Sequence, residues 1–244
     1  MQNSASRIAL VTGANKGIGF EVARQLGRAN HRVLLGARDA TLGAAAAATL
    51  CAEGIDASCI QLDLTDMATI RAAAAAIETE CGRLDVLVNN AGITDRADGP
   101  PSSASLEAVR RLFDTNFLGT LAVTQAMLPL LRRSQSGRIV NVSSGLGSLG
   151  NNSDPGWEFA RVKLIGYNAS KAALNMLTVQ LAAELRDAGI KVNAADPGFT
   201  ATDLNDHRGH QTVTEGAAPV VRLALLPDDG PTGGYFSASR QEPW

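Results

Sequence analysis

The chain has 244 residues, of which 45% are hydrophobic and 19% are charged, and its formal net charge is −2. This composition excludes an intrinsically disordered chain, and the length allows one large α/β domain or two small ones. Because the chain has no excess of basic residues, we expect no nucleic-acid partner.

The cysteines and the N-terminal residues favour a cytoplasmic protein. Cys51, Cys59 and Cys81 are odd in number and lack zinc-ligand spacing, so we expect reduced, partly buried thiols and no metal site. Residues 1–6 are polar and lack the apolar core of a signal peptide. No apolar run is long enough to cross a bilayer, so we expect no membrane association.

Short apolar segments alternate with longer helical patterns along the whole chain. The predicted elements are a strand at 8–12, a helix at 17–29, a strand at 32–36, a helix at 41–53, a strand at 57–62, a helix at 67–81, a strand at 84–88, a helix at 103–131, a strand at 138–142, a helix at 166–187, a strand at 191–195, a helix at 214–226 and a strand at 233–236.

These strands are apolar without polar alternation, which is typical of a parallel sheet covered by helices on both faces. Repeated strand–helix units predict an α/β, doubly wound Rossmann fold with a seven-stranded, mainly parallel sheet. No proline- or serine-rich linker divides the chain. We therefore predict a single domain over residues 1–244, with substrate-binding loops at about 145–166 and 198–212.

The turn between the first strand and the first helix is rich in glycine, with the sequence TGANKGIG at 12–19. Glycines at 13, 17 and 19 permit a tight turn and a close approach of the backbone to a pyrophosphate at the positive end of a helix. A strand–helix turn without a ligand is the alternative. The position of the glycine-rich turn, after the first strand of a β–α–β array, favours a turn that binds a dinucleotide.

The end of the second strand bears on which dinucleotide would bind. A cofactor without a 2′-phosphate usually meets an acidic residue here, but Ala37 occupies that place and Arg38 follows it. Lys16 adds a second cation, so the sequence favours NADP(H) over NAD(H). The alternatives are that Asp39 faces the ribose instead of capping the next helix, and that Arg38 is a solvated surface residue.

Tyr167 and Lys171 lie four residues apart, so on a helix their side chains share one face. A neighbouring ammonium favours phenolate and lowers the tyrosine pKa from its reference of ~10. Such a tyrosine exchanges protons with an alcohol or carbonyl oxygen. Alone, this spacing more often marks a half-buried aromatic residue beside a solvated lysine.

In combination, these motifs resemble the short-chain dehydrogenase/reductase family, in its single-domain branch, from end to end. The glycine loop and the Ala37–Asp39 segment are similar to those of the NADPH-dependent carbonyl reductases. The motifs occur in the family's order and are TGANKGIG at 12–19, NNAG at 89–92, Asn116, NVSS at 141–144, YNASK at 167–171 and PG at 197–198.

The resemblance implies four catalytic residues. Tyr167 would be the general acid in reduction and the base in oxidation, and Lys171 would lower its pKa and hold the nicotinamide ribose. Ser144 would hydrogen-bond the substrate carbonyl and polarise it. Asn116 would anchor a water that links Lys171 to solvent.

The resemblance also implies how the cofactor is held. Asp63 would meet the adenine, Asn90 would support the cofactor and the sheet, and the segment around Pro197 would line the nicotinamide. The implied NADP(H) contacts are Gly13, Asn15, Lys16, Gly17, Ile18, Gly19, Arg38, Asp63, Leu64, Asn90, Ala91, Gly92, Tyr167, Lys171, Pro197, Gly198, Thr200 and Thr202.

Between Ser144 and Tyr167 the chain is longer than in most family members. Turn formers at 150–156 precede Trp157 and Phe159, and we hypothesise that this insertion forms one wall of the substrate pocket. The alternative is a surface loop whose aromatic residues pin it to the body of the protein. The candidate pocket residues are Thr94, Leu149, Trp157 and Phe199.

Residues 199–211 resemble the family's mobile lid. His207 and His210 have a spacing that suits a metal, but no third ligand is in view, and we expect exposed loop histidines. Family members commonly form homodimers or homotetramers, whereas some carbonyl reductases with a long insertion are monomers. All three assemblies remain open.

The sequence thus predicts an NADPH-dependent oxidoreductase that reduces a ketone or aldehyde of a small molecule to an alcohol. One alternative is an NADP-dependent alcohol dehydrogenase that oxidises a secondary alcohol, a steroid or a sugar. Another is a non-catalytic dinucleotide sensor, which would not need the proton-transfer residues. The substrate itself depends on loop residues and is not predicted.

Overall fold

The computed structural model describes residues 6–244, and its centre is a seven-stranded sheet in the order β3-β2-β1-β4-β5-β6-β7. Every neighbouring pair of these strands is parallel, so the predicted doubly wound sheet is confirmed. The strands are β1 (Arg7–Thr12), β2 (His31–Ala37), β3 (Ala57–Gln61), β4 (Val86–Asn89), β5 (Arg138–Val142), β6 (Lys191–Ala195) and β7 (Tyr235–Phe236).

Eight α-helices among the described residues flank this sheet. They are α1 (Gly17–Arg28), α2 (Ala40–Ala52), α3 (Met67–Cys81), α4 (Leu106–Phe113), α5 (Thr120–Leu131), α6 (Leu149–Ser153), α7 (Ile165–Glu184) and α8 (Val213–Ala224). Strand order reverses between β1 and β4, and in parallel α/β sheets this switch point opens a crevice at the carboxyl ends of the strands.

Each strand contributes to a hydrophobic core on both faces of the sheet, because successive side chains point in opposite directions. In β1, Leu10 packs with the cluster beneath α3, α5 and α7, whereas Val11 packs with the cluster beneath α1, α2 and α8. Both side chains are fully buried. This two-sided burial explains why the strands lack polar alternation.

The predicted helix at 103–131 is interrupted in the structure. A π-helical turn, Asp114–Gly119, separates α4 from α5. The wide turn coincides with two tertiary constraints. The Asn116 amide bonds outside its own helix, and a Cβ on Gly119 would lie 2.5 Å from the carbonyl oxygen of Leu64. Neither constraint can be read from helical periodicity.

The insertion before Tyr167 also differs from the loop that its turn-forming residues suggest. It begins with a 3₁₀ turn, Gly145–Gly147, and continues as the short helix α6. Ser148 caps α6, since its Oγ accepts a hydrogen bond from the Asn151 backbone N–H at 3.0 Å. The cap stabilises a helix whose composition alone favours turns.

A buried carboxylate ties the amino end of the sheet together. Asp85 Oδ2 accepts a hydrogen bond from the Ile8 backbone N–H at 2.9 Å and from Arg83 Nε at 3.1 Å. Its Oδ1 accepts one from Ser134 Oγ at 2.5 Å. Because Asp85 is only 4% exposed, its loss would leave buried donors unpaired.

We expect Asp85→Ala to lower the free energy of unfolding by about 3 kcal/mol, the usual cost of breaking a buried charged pair. Urea denaturation measures this change. Glu184→Ala is the control, since Glu184 pairs with Arg132 at 3.7 Å on the surface and should cost about 0.5 kcal/mol or less. Equal effects of the two substitutions would contradict the role given to Asp85 at the amino end of the sheet.

Candidate active site

A cleft of about 740 Å³ opens at the carboxyl ends of the strands, next to the switch point between β1 and β4. Every predicted cofactor contact except Gly198 and Thr200 lines it. Gly198 is exposed with a φ of +70°, and Thr200 is buried with its Oγ1 donating to the Pro197 carbonyl at 2.9 Å. These two residues shape the turn beside the cleft.

The glycine loop is shaped by close backbone packing. Gly13 and Gly17 have φ angles of +63° and +60°, which glycine adopts without strain. A Cβ on Gly19 would lie 2.6 Å from the Gly13 carbonyl oxygen. Asn90 Nδ2 donates to that same oxygen at 3.2 Å and to the Thr12 carbonyl at 2.9 Å. The side chain from the end of β4 therefore fixes the loop.

This loop leaves the start of α1 open to an anion. Lys16 occupies the N-cap position and its side chain makes no capping bond, and the first turn has no acidic residue. The first backbone N–H groups of a helix lack intrahelical partners and carry a partial positive charge. Together with the bare glycine backbone, these groups fit a pyrophosphate.

Residues that could bind or exclude a cofactor's 2′-phosphate lie at the carboxyl end of β2. Arg38 and Asp39 both line it, but the Asp39 carboxylate caps α2 by accepting from the N–H groups of Thr41 at 2.8 Å and Leu42 at 3.0 Å. Lys16 Nζ pairs with Asp203 at 2.6 Å across the cleft. The lysine thus has a counter-ion from the lid, which the sequence did not suggest.

Tyr167 and Lys171 lie on the first two turns of α7, and both are almost fully buried. Lys171 Nζ donates to the Val142 carbonyl at 2.8 Å and lies 5.8 Å from the centre of the Tyr167 ring. Ser144, which follows β5, lies close enough to the Tyr167 side chain to affect its pKa. Three of the four predicted catalytic residues therefore converge.

Burial governs how these two groups ionise. Desolvation raises the pKa of Tyr167 to about 12, while the Ser144 hydrogen bond acts to lower it and the Asp196 charge to raise it. Desolvation also lowers the pKa of Lys171 to about 8. In the protein alone, burial outweighs the effects of neighbouring groups on the pKa of Tyr167, and the lowering of this pKa by Lys171 stays a prediction.

Asn116 is the fourth predicted catalytic residue, and its side chain joins the site from the π-helical turn. Its Oδ1 accepts from the Ile93 N–H at 2.8 Å, and its Nδ2 donates to Ser170 Oγ at 3.1 Å. A Cβ on Gly92 would lie 3.3 Å from Asn116 Oδ1 and 3.5 Å from Lys171 Nζ. The amide oxygen and the ammonium thus both border Gly92.

Aromatic rings connect the insertion to the lid next to Ser144. Trp157 and Phe159 are 5.5 Å apart edge to face, and Phe159 and Phe199 are 5.8 Å apart in the same manner. The Trp157 ring also lies 3.1 Å from the point where a Cβ on Gly145 would stand. These three rings, Trp157, Phe159 and Phe199, form an aromatic row beside Gly145, the residue after Ser144.

The other two candidate pocket residues are placed differently. Thr94 lines the cleft, and its Oγ1 donates to the Leu204 carbonyl of the lid at 3.2 Å. Leu149 is 71% exposed and lies in a separate apolar depression between α6 and α7. The structure does not bring Leu149 to the cleft.

Sequence reasoning missed Asp196, a carboxylate beside the predicted catalytic residues. Its Oδ1 accepts from the Gly198 N–H at 3.0 Å, and desolvation raises its pKa. The sequence did contain a signal for it, because Asp196 is a charged residue directly after the apolar strand β6. Charged residues are seldom buried without a partner, so a carboxylate at this position indicates a possible functional group.

Neither a metal cluster nor a membrane-spanning helix occurs between residues 6 and 244. In that range no group of three or more His, Cys, Asp or Glu side chains could hold a metal ion. No helix in it has both the length and the apolar character needed to cross a bilayer. His207 pairs with Asp203 at 2.9 Å, and His210 packs edge-on against Phe199.

Comparison with known proteins adds independent evidence. A family model described as short chain dehydrogenase matches residues 7–212. Carbonyl reductase (NADPH) 3 of Rattus norvegicus is 38% identical, over 93% of this chain and 94% of its own. (+)-Neomenthol dehydrogenase of Arabidopsis thaliana is 37% identical, over 97% of this chain and 98% of its own.

The fold has matches of similar extent among solved structures. The crystal structure of NADPH-bound carbonyl reductase from chicken fatty liver gives a TM-score of 0.85 at 29% identity, covering 98% of this chain and 99% of that one. The motif-based resemblance is thereby confirmed. The chain belongs to the short chain dehydrogenase family of oxidoreductases.

Proposed function

We propose that this protein is a cytoplasmic, NADPH-dependent reductase that converts a small-molecule ketone or aldehyde to an alcohol. The observation that carries the proposal is the convergence of Ser144, Tyr167 and Lys171 at the end of a cleft with an open helix N-terminus. The relatives named for NADPH-dependent carbonyl reduction support it.

The residues that line the cleft suit NADP(H) along its length. The glycine loop and the start of α1 would hold the pyrophosphate, and Arg38 with Lys16 would hold the 2′-phosphate. Lys171 would hold the nicotinamide ribose. When bound, the cofactor supplies the hydride, and its oxidised ring adds a positive charge that favours phenolate.

The protein's own contribution is to bind and protonate the carbonyl oxygen. Ser144 Oγ and the Tyr167 hydroxyl lie close together, so both can donate to one substrate oxygen as it gains negative charge. Tyr167 then transfers its proton to that oxygen. Lys171 lies close enough to stabilise the phenolate that remains, and Asn116 beside it would support reprotonation.

The raised pKa of Tyr167 is compatible with a role as the general acid in reduction. With its pKa raised to about 12, the Tyr167 phenol holds its proton throughout the physiological range. A general acid must be protonated before the reaction, whereas a general base must not. The buried environment therefore prepares Tyr167 to act as the acid.

We expect Tyr167→Phe to reduce kcat by at least about a thousandfold, since it removes the proton donor while keeping the ring. NADPH binding, followed by fluorescence titration, should stay within a few-fold of the original. Tyr235→Phe is the matched control, because Tyr235 is buried and does not line the cleft. Near-normal turnover in Tyr167→Phe would refute the proposed proton donor.

We expect Ala37→Asp combined with Arg38→Leu to shift the preference towards NADH. The carboxylate would accept from the ribose hydroxyls and repel a 2′-phosphate, and the guanidinium that pairs with it would be gone. The readout is the ratio of kcat/KM for NADPH and NADH, which should fall by about tenfold to a hundredfold. An unchanged ratio would contradict the assignment of NADPH.

The aromatic row would form the substrate wall, because it lies against Gly145, the residue next to Ser144. We expect Trp157→Ala to raise KM or alter stereoselectivity while the melting temperature changes little, since the indole is only half-buried. Steady-state kinetics on a prochiral ketone measure this effect.

Leu149→Ala gives the matched control for Trp157→Ala. It removes an apolar side chain from the same insertion, but one that lies in the separate depression and outside the aromatic row. We expect its kinetics to equal those of the unmodified protein. If Trp157→Ala also leaves KM and stereoselectivity unchanged, the insertion does not form the substrate wall.

A further inference from the structure

The helix that carries Tyr167 begins without a cap of its own. Leu164 occupies its N-cap position, and this side chain has no oxygen to accept from the first turn. Tyr167 is the third residue of α7, so its backbone N–H is one of those without an intrahelical partner. The residue whose hydroxyl must be placed accurately therefore lies in the least supported turn of the helix.

Asp98, from the loop between β4 and α4, supplies the missing acceptors. Its Oδ1 accepts a hydrogen bond from the Gly166 N–H and its Oδ2 one from the Tyr167 N–H, both at 2.9 Å. The neighbouring Gly99 carbonyl accepts from the Ile165 N–H at 3.0 Å. The first three backbone N–H groups of α7 are thus bound by two consecutive residues of a distant loop.

Close packing around Gly166 allows this contact only because glycine has no side chain. A Cβ at Gly166 would lie 3.2 Å from Asp98 Oδ1 and 3.2 Å from the Cα of Val109. A larger residue would therefore push the helix away from both the carboxylate and α4. The carboxylate also lies at the positive end of the α7 dipole, which favours a negative charge there.

Asp98 is itself held by its own loop. Its backbone N–H donates to the Asp95 carbonyl at 3.1 Å, and the Ser105 N–H at the start of α4 donates to the Ala97 carbonyl at 3.1 Å. Asp95 in turn pairs with Arg111 on α4 at 2.7 Å. The loop that carries Asp98 is thus attached to α4.

From these contacts we infer that Asp98 is a positioning residue for Tyr167, which holds the first turn of α7 so that the phenol stays beside Ser144. The inference rests on the proposed role of Tyr167 as proton donor. Small displacements of a reacting group are costly, since a misplacement of about 1 Å can reduce the rate about a hundredfold.

The test compares two helix caps of the same chemistry. Asp66 caps α3, with its carboxylate accepting from the Ala68 N–H at 2.8 Å, and it does not line the cleft. Asp98→Ala and Asp66→Ala should therefore lose similar amounts of stability. We expect kcat to fall about tenfold to a hundredfold in Asp98→Ala alone, with the Kd for NADPH unchanged within about threefold.

Asp98→Asn serves as the conservative variant, because its amide oxygen can still accept from one of the two N–H groups. We expect it to recover most of the lost kcat. If Asp98→Ala and Asp66→Ala have the same kcat, or if Asp98→Asn is no better than Asp98→Ala, the positioning role is wrong. All kinetics are measured on protein whose circular dichroism matches that of the unmodified chain.

Hydrogen exchange at the Gly166 and Tyr167 amides gives a readout that does not depend on turnover. We expect protection in the unmodified protein and in Asp66→Ala, and its loss in Asp98→Ala, whether or not a ketone is reduced. Unchanged protection in Asp98→Ala would overturn the inference. Loss of protection together with an unmodified protein that reduces no ketone would instead count against the proposed function.

Discussion

Residues 141–143, at the end of β5 and directly after it, hydrogen-bond to helix α7, and the geometry of the site depends on that contact. Asn141 Nδ2 donates to Thr178 Oγ1, the Val142 carbonyl accepts from Lys171 Nζ, and Ser143 Oγ donates to Asn175 Oδ1 at 2.6 Å. These groups are buried, so each bond would be expensive to break. They fix the position of α7 relative to β5, the strand that Ser144 follows.

The same burial decides which protonation states the site prefers. A phenol and an amine that are both desolvated hold to their neutral forms, which is why the pKa of Tyr167 rises to about 12 while that of Lys171 falls to about 8. Charges created during turnover are therefore costly unless they appear as a pair. An ammonium beside a new phenolate meets this condition.

The parts of the structure that follow from local sequence were predictable. Apolar strands separated by helical patterns gave the parallel sheet, and the glycines at 13, 17 and 19 gave the loop, because both depend on periodicity and backbone freedom. The carboxylate of Asp39 caps α2, as local capping preferences indicate.

Other features depend on residues far apart in the chain, and no local pattern contains them. Asp98 bonds Tyr167 across 69 positions, and the π-helical turn accompanies the bonds of Asn116 to Ile93 and Ser170. Leu149 resembles a pocket residue because it is apolar and close to Ser144 in sequence. The short helix α6 turns it outward instead.

The ion pair between Lys16 and Asp203 has a consequence for how a ligand enters. It joins the glycine loop to the lid at 2.6 Å, and Asp203 also accepts from His207. A phosphate that binds Lys16 would compete with Asp203 for the ammonium, so its binding would weaken the contact between the glycine loop and the lid. Because both charges are more than half exposed, dissolved salt screens these interactions. The affinity for a ligand that binds Lys16 should therefore depend on the ionic strength of the solution.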